Sequence, residues 1–267
     1  MLLNKAVLVN KINSNHLFSA SSLNPTIDMS QLFPGEVFAN TADFDTGIRQ
    51  LLPRYDEILE VISRCLPLTS HRILDLGCGT GELSLKILQR CPNAQVIALD
   101  YSPRMLEFAQ HKIASSGYKE RWTGLQADFG DWAINPETLN IGNEFDACVS
   151  SLAIHHLYDD MKLRLFQRIA ASLTPNGCFW NADPTLPESP TLAEIYQAAR
   201  EQWVSEQGSN FTEVRAKVGN SSPQGYSNPD QLATLDTHLQ MLTKSGFTTV
   251  AVPWKYYGLA VFGGWVE

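Results

Sequence analysis

The chain has 267 residues, 44% hydrophobic and 10% aromatic, enough to bury and cover one full core, which excludes global disorder. Its 28 acidic against 20 basic residues leave a net charge of −8, so there is no electrostatic basis for gripping nucleic acid or an anionic membrane. No run approaches the ~20 uninterrupted apolar residues of a membrane span, and five widely spaced cysteines (Cys65, Cys78, Cys91, Cys148, Cys178) without a Cys-x-x-Cys pair suggest neither disulfides nor zinc but reduced thiols in a cytoplasmic compartment.

Residues 1–47 are expected to form an N-terminal arm. Its first 27 residues hold Lys5 and Lys11 and no acid before Asp28, the bias of a transit peptide, but they lack the arginines of one; a polar arm is the expectation. Ile48, Leu51, Leu52, Tyr55, Ile58, Leu59, Ile62, Cys65 and Leu66 recur every three or four residues and predict a helix with Pro53 near its start. Strands are then predicted at 72–76, 95–99, 123–127, 145–150 and 177–181, with helices at 82–90, 103–115 and 161–172. This alternation over 48–182 predicts an α/β core with a doubly wound, mostly parallel sheet, whose ligands bind at the carboxyl ends of the strands. Residues 183–228 break the rhythm with Pro184, Pro187 and Pro190, a helix bearing Leu192, Ile195, Tyr196, Ala199 and Trp203, and a polar stretch at 219–225; they are expected to be an inserted helical lid. Residues 229–267 complete the core with a helix (Leu235, Leu239, Leu242) stopped at Gly246 and two strands, 247–252 and 256–262, predicted to form an antiparallel hairpin at one sheet edge.

The most informative motif is Asp75-Leu76-Gly77-Cys78-Gly79-Thr80-Gly81. Glycine at 77, 79 and 81 bares one wall of a strand-to-helix turn, so that a ligand can lie against backbone beside a helix amino end. A dinucleotide fingerprint would need another glycine where Glu82 stands, and the Lys-Ser/Thr of a P-loop is absent. Asp100 at the end of the second strand can accept both hydroxyls of a ribose, and Asp128 at the end of the third can accept an adenine amine while Phe129 offers an apolar edge.

These motifs, with the strand Phe145-Asp146-Ala147-Cys148-Val149, resemble the class I S-adenosylmethionine-dependent methyltransferases over roughly residues 70–182. The resemblance implies S-adenosyl-L-methionine as cofactor: the loop of Asp75, Gly77, Gly79 and Gly81 would hold its methionine part, Asp100 the ribose and Asp128 the adenine, with Tyr101 and Met105 packed around the adenosine. The flanks, Leu52-Pro53-Arg54-Tyr55, Thr237-His238, Lys244-Ser245-Gly246-Phe247 and Trp254, are similar to the carboxy-S-adenosylmethionine synthase group, in which the tyrosine matching Tyr55 reaches the cofactor. The chain departs from that group at Ser151, where the synthases carry asparagine, at Gly79-Thr80, and in lacking an alignable arginine for the extra carboxylate, Arg215 being the one candidate after Arg200. Ser151 is then a candidate cofactor contact.

For catalysis, His155 and His156 follow the fourth strand at the sheet's carboxyl edge, where one could take a proton near neutral pH, and Asp183 just past the fifth strand is a second candidate base or substrate anchor. No third His, Asp or Glu at ligand spacing supports a metal. Tyr196, Trp203, Phe211, Tyr226, Trp254, Tyr256 and Tyr257 could wall an aromatic chamber, with core or lid packing as their alternative role. The scarcity of lysine in the lid, where Lys217 stands alone, argues against a polyanionic substrate. The expectation is methyl transfer to an O, N or C nucleophile of a small molecule, with no nucleic acid or membrane partner and a homodimer left open. The alternatives are a carboxy-S-adenosylmethionine synthase-like enzyme in tRNA modification and a non-catalytic cofactor-binding subunit.

Overall fold

The computed structural model describes residues 41–218 and 230–267. Two helices lead in, α1 (Thr41–Leu51) and α2 (Tyr55–Cys65), followed by β1 (Arg72–Leu76), α3 (Glu82–Arg90), β2 (Gln95–Asp100), α4 (Pro103–Ser115), β3 (Trp122–Gln126), α5 (Phe129–Ile134), β4 (Phe145–Ser151), α6 (Asp159–Ser172) and β5 (Leu173–Pro184). Helices α7 (Pro190–Glu206) and α8 (Phe211–Val218) precede α9 (Leu235–Lys244) and the hairpin β6 (Thr249–Tyr256) and β7 (Leu259–Trp265). Among the described residues the strands form one sheet in the order β3-β2-β1-β4-β5-β7-β6, parallel from β3 to β5 and antiparallel at β7 and β6. This is the predicted mostly parallel α/β sheet with its edge hairpin.

Strands covered on both faces carry apolar side chains in both directions. In β1, Ile73 joins one core cluster with Ile62, Ile87 and Trp180, while Leu74 and Leu76 join the other with Phe166, Phe179 and Phe262. The helices start where local chemistry dictates: Ser102 caps α4 by accepting from Met105 N at 3.0 Å, with Pro103 in its first turn, and Asp128 caps α5 by accepting from Gly130 N at 2.7 Å.

Three boundaries differ from the sequence expectation. The single helix predicted across 48–66 is broken at Leu52-Pro53-Arg54, because Pro53 has no N–H to donate and Arg54 turns left-handed (φ 59°). Helix α1 also begins within the segment expected as arm. The hairpin turns at Tyr257-Gly258 rather than near Pro253; that proline sits in the edge strand where the β6–β7 register shifts, a position that tolerates a missing donor. Residues 1–40, the polar stretch 219–225, Tyr226 and the side chains of Arg215 and Lys217 lie outside those described. No helix among the described residues is long and apolar enough to cross a membrane.

Candidate functional site

The turn after β1 is built from three left-handed glycines, Gly77 (φ 69°), Gly79 (φ 51°) and Gly81 (φ 79°). Backbone N–H groups of Gly77 and Cys78 donate to Leu99 O at 2.8 and 3.0 Å, fastening the turn to the end of β2. A Cβ on Gly77 would lie 2.3 Å from Ala153 Cβ, so the chain can pass there only as glycine, whereas nothing lies within 4 Å of a Cβ built on Gly79. Gly79 thus opens onto a cavity, and Gly81 stands one step back against Ala109 as the residue before α3.

Tyr55, Asp75, Gly77, Gly79, Asp100, Tyr101, Met105, Asp128, Phe129, Ser151 and His156 all face that cavity. Asp100 is fixed by two backbone donors, Gly79 N to Oδ2 at 2.7 Å and Ser102 N to Oδ1 at 2.8 Å, so it is oriented by the loop it helps to hold. Asp75 accepts from Ser84 Oγ at 2.6 Å through Oδ2; its Oδ1 is buried with no partner, and burial pushes its carboxyl up to about 7. Ser151 Oγ is also buried without a partner. Leu152, in the same wall, holds a left-handed conformation (φ 59°) as β4 ends.

Sequence reasoning missed Phe44, Glu82 and Leu152 in this wall. Phe44 extends the apolar spacing of α1 backwards from Ile48 and Leu51, a signal available in the sequence. Burial pulls the Glu82 carboxyl upward, but Lys112 and Arg49, the latter at 2.5 Å, hold it below the usual range. The described cavity wall therefore carries four carboxyl groups, Asp75, Glu82, Asp100 and Asp128, and no lysine or arginine.

The catalytic candidates divide. His156 faces the cavity, while His155 and Asp183 lie behind it. His155 Nδ1 is 2.7 Å from Asp183 Oδ1, Asn181 Nδ2 donates to Asp183 Oδ2 at 2.8 Å, and the two histidine rings lie 4.1 Å apart. Asp183 is 1% exposed, pairs with His155 and Asn181, and is not among the residues that line the cavity. The fold also brings Asp230 to this pair, 3.7 Å from His155 Nε2. Sequence spacing could not show it, because Asp230 comes from the far side of the lid segment.

The aromatic chamber is not built among the described residues. Tyr257 meets Tyr196 and Tyr256 edge-on, Trp254 stacks on Tyr256, and Trp203 and Phe211 pack beside Leu51; none faces the cavity. Packing, the alternative, describes them.

A family model described as a methyltransferase domain matches residues 73–177. An uncharacterized methyltransferase of Mycobacterium bovis is 30% identical over 188 residues, 70% of this chain and 84% of that protein. The chain belongs to the S-adenosylmethionine-dependent methyltransferases. A carboxy-S-adenosyl-L-methionine synthase of Campylobacter hominis is 25% identical over 82% of this chain and 88% of that protein. An uncharacterized methyltransferase of Schizosaccharomyces pombe is 27% identical over 66% of this chain, which spans 64% of that relative's length. Among solved structures, an O-methyltransferase family protein from Burkholderia thailandensis superposes with a TM-score of 0.58 at 16% identity, over 79% of this chain and 56% of that one, a likeness of fold. The family's cofactor, S-adenosyl-L-methionine, carries a sulfonium, an ammonium and one carboxylate, and is a net cation. This methyltransferase's cavity fits it: an acidic wall, the bare backbone at Gly79 and the unpartnered oxygens of Asp75 and Ser151.

Proposed function

We propose that this methyltransferase transfers a methyl group from S-adenosyl-L-methionine to an oxygen, nitrogen or carbon nucleophile of a small molecule. The observation that carries this reading is the cavity wall with four carboxyl groups and no lysine or arginine among its described residues, a setting for a cation. When bound, the cofactor supplies an electrophilic methyl carbon on a sulfonium. Asp100, held by Gly79 and Ser102 N–H groups, accepts from the ribose hydroxyls, since each carboxylate oxygen has capacity for a second donor. Asp128 and Phe129 take the adenine, and Tyr55, Tyr101, Met105 and Ser151 complete the wall. The rest of the chain's contribution is to orient the nucleophile and exclude water. Where the nucleophile carries a proton, His156 in the wall receives it, with the tilted ring of His155 packed behind it and held in one orientation by Asp183. Unpaired thiols support a reducing, cytoplasmic setting.

Similarity to the Campylobacter hominis synthase across most of both chains favours a second reading, in which the cofactor is carboxylated. An added carboxylate would meet carboxyl groups rather than an arginine in this wall, so ordinary methyl transfer stands first. Mass spectrometry of the small molecule released from freshly purified, denatured protein separates the readings. S-adenosylmethionine or its demethylated product is expected; a carboxylated cofactor would move the protein to the synthase group. Bound cofactor without transfer of a labelled methyl to any metabolite fraction would leave a non-catalytic subunit.

A further inference from the structure

We propose that His155, His156 and Asp230 form a site for one divalent transition-metal ion at the mouth of the cofactor cavity. One ligand atom from each residue lies within 4.8 Å of the others. The 3.7 Å between His155 Nε2 and Asp230 Oδ1 is too long for a hydrogen bond. It is shorter than the sum of two metal–ligand bonds of ~2.1 Å each, so an ion sitting to one side of the line between them can bond to both.

Two further observations make this a built site rather than a chance approach. The first lies behind the ligand: Asp183 accepts the Nδ1 proton of His155 at 2.7 Å and is itself held by Asn181. That arrangement directs the Nε2 lone pair outward and is the carboxylate–histidine support that metal sites use. The second fixes the third ligand. Gln231 N donates to His155 O at 2.7 Å, buried Lys162 donates to Gln231 O, and Leu186 N donates to Ala233 O at 2.8 Å, so backbone docking sets Asp230 beside the histidines. Two imidazoles and one carboxylate suit zinc, cobalt or nickel better than magnesium or calcium, and three protein ligands leave a position open. His156 faces the cofactor cavity while Asp230 lines an open concavity with Tyr158 and Leu186. The ion thus stands between the two and presents a coordinating oxygen or nitrogen of the substrate to the cofactor; with the ion bound, His156 is a ligand rather than a base, and the ion instead lowers the pKa of the coordinated group, whose proton passes to solvent. That role rests on the methyltransferase reading; the ion site itself does not.

The test is titration of the metal-free full chain with Co2+, followed by absorption, and equilibrium dialysis against Zn2+. Expected are one ion per chain, cobalt d–d bands without a thiolate charge-transfer band, and affinity at least tenfold weaker in Asp230→Ala and in His156→Ala. Asp230 is 43% exposed, so its variant keeps the fold, which a thermal melt checks. No retained ion, undiminished affinity in Asp230→Ala, or a thiolate band would overturn the site and leave the His155–Asp230 approach an ion pair only. Calorimetry with S-adenosylmethionine on the same samples keeps the readings apart: lost ion binding with intact cofactor binding counts against the metal site alone, and the reverse against the methyltransferase reading alone.

Discussion

Asp75 and His238 are buried titratable groups that pull stability in opposite directions with pH. Burial raises the Asp75 carboxyl to about 7, above its unfolded value of ~3.9, so the folded state binds more protons between those limits and stability falls as pH rises through them, then levels off. Burial lowers His238, wedged against Phe166 and Phe262, to about 4, below its unfolded value of ~6.5, so its contribution rises with pH up to that point. Only a difference isolates either group. Melting curves of Asp75→Asn and the parent from pH 4 to 8 should diverge in the variant's favour up to about pH 7, by on the order of 2–4 kcal/mol, and run parallel above it. Curves parallel throughout would remove Asp75 as the titrating group. S-adenosylmethionine affinity should rise over the same interval in the parent, because the cation favours ionised Asp75, and stay flat in the variant. Asp100→Asn sets an amide N–H against the Gly79 or Ser102 N–H and should weaken cofactor binding at least tenfold by calorimetry, about 1.4 kcal/mol. Asp75, Asp100 and Asp128 were legible in the sequence because each stands at or beside the carboxyl end of a strand, next to a recognisable turn. Asp230 was not, because only tertiary packing brings it to His155.

At the scale of elements, the glycine turn separates folding from binding. Gly77 and Gly79 share a left-handed backbone, which costs any other residue about 1–2 kcal/mol, but they differ in what a side chain would meet. Gly77→Ala drives a methyl against Ala153 and should lower the melting temperature severely or prevent folding. Gly79→Ala projects into open space and should fold with a loss of only a few degrees, at about 2–4 °C per kcal/mol for a large domain, while its methyl enters the cofactor's place and cuts affinity. Equal damage from both would mean that Gly79 serves the fold rather than the ligand. The strand–helix rhythm of the core was legible because buried parallel strands and amphipathic helices have different periods. The missed boundaries have backbone causes. The final strand was expected to stop at Phe262, yet β7 runs on through Gly263 and Gly264 to Trp265. A Cβ on Gly263 or Gly264 would fall 1.9 Å from Phe179 O or 2.0 Å from Thr249 O, so glycine here serves close strand packing.

Across the whole molecule, α1 connects the cofactor cavity to the helices that follow β5. Its Phe44 lines the cavity, Leu51 packs with Val204 and Val214 of α7 and α8, and Trp203 Nε1 donates to Arg49 O at 3.3 Å. A charged network holds α1 down on the core: Lys112 of α4 contacts Asp45 at 2.6 Å and also Glu82, Arg49 reaches Glu82, and Thr80 in the glycine turn donates to Asp45 at 2.5 Å. The Lys112, Asp45 and Glu82 side chains are only 16–17% exposed, so these pairs are screened less than surface pairs. Replacing Lys112 with methionine keeps most of the side chain's volume but leaves Asp45 and Glu82 repelling each other across the α1–α3 contact. If the network closes the cavity, Lys112→Met should release S-adenosylmethionine several-fold faster in stopped-flow displacement while association changes little, since closure acts after encounter. High salt should speed release from the parent toward the variant's rate and affect the variant less. An unchanged release rate accompanied by a lower melting temperature would make α1 a fixed wall, and closure would then have to come from the helices beyond β5.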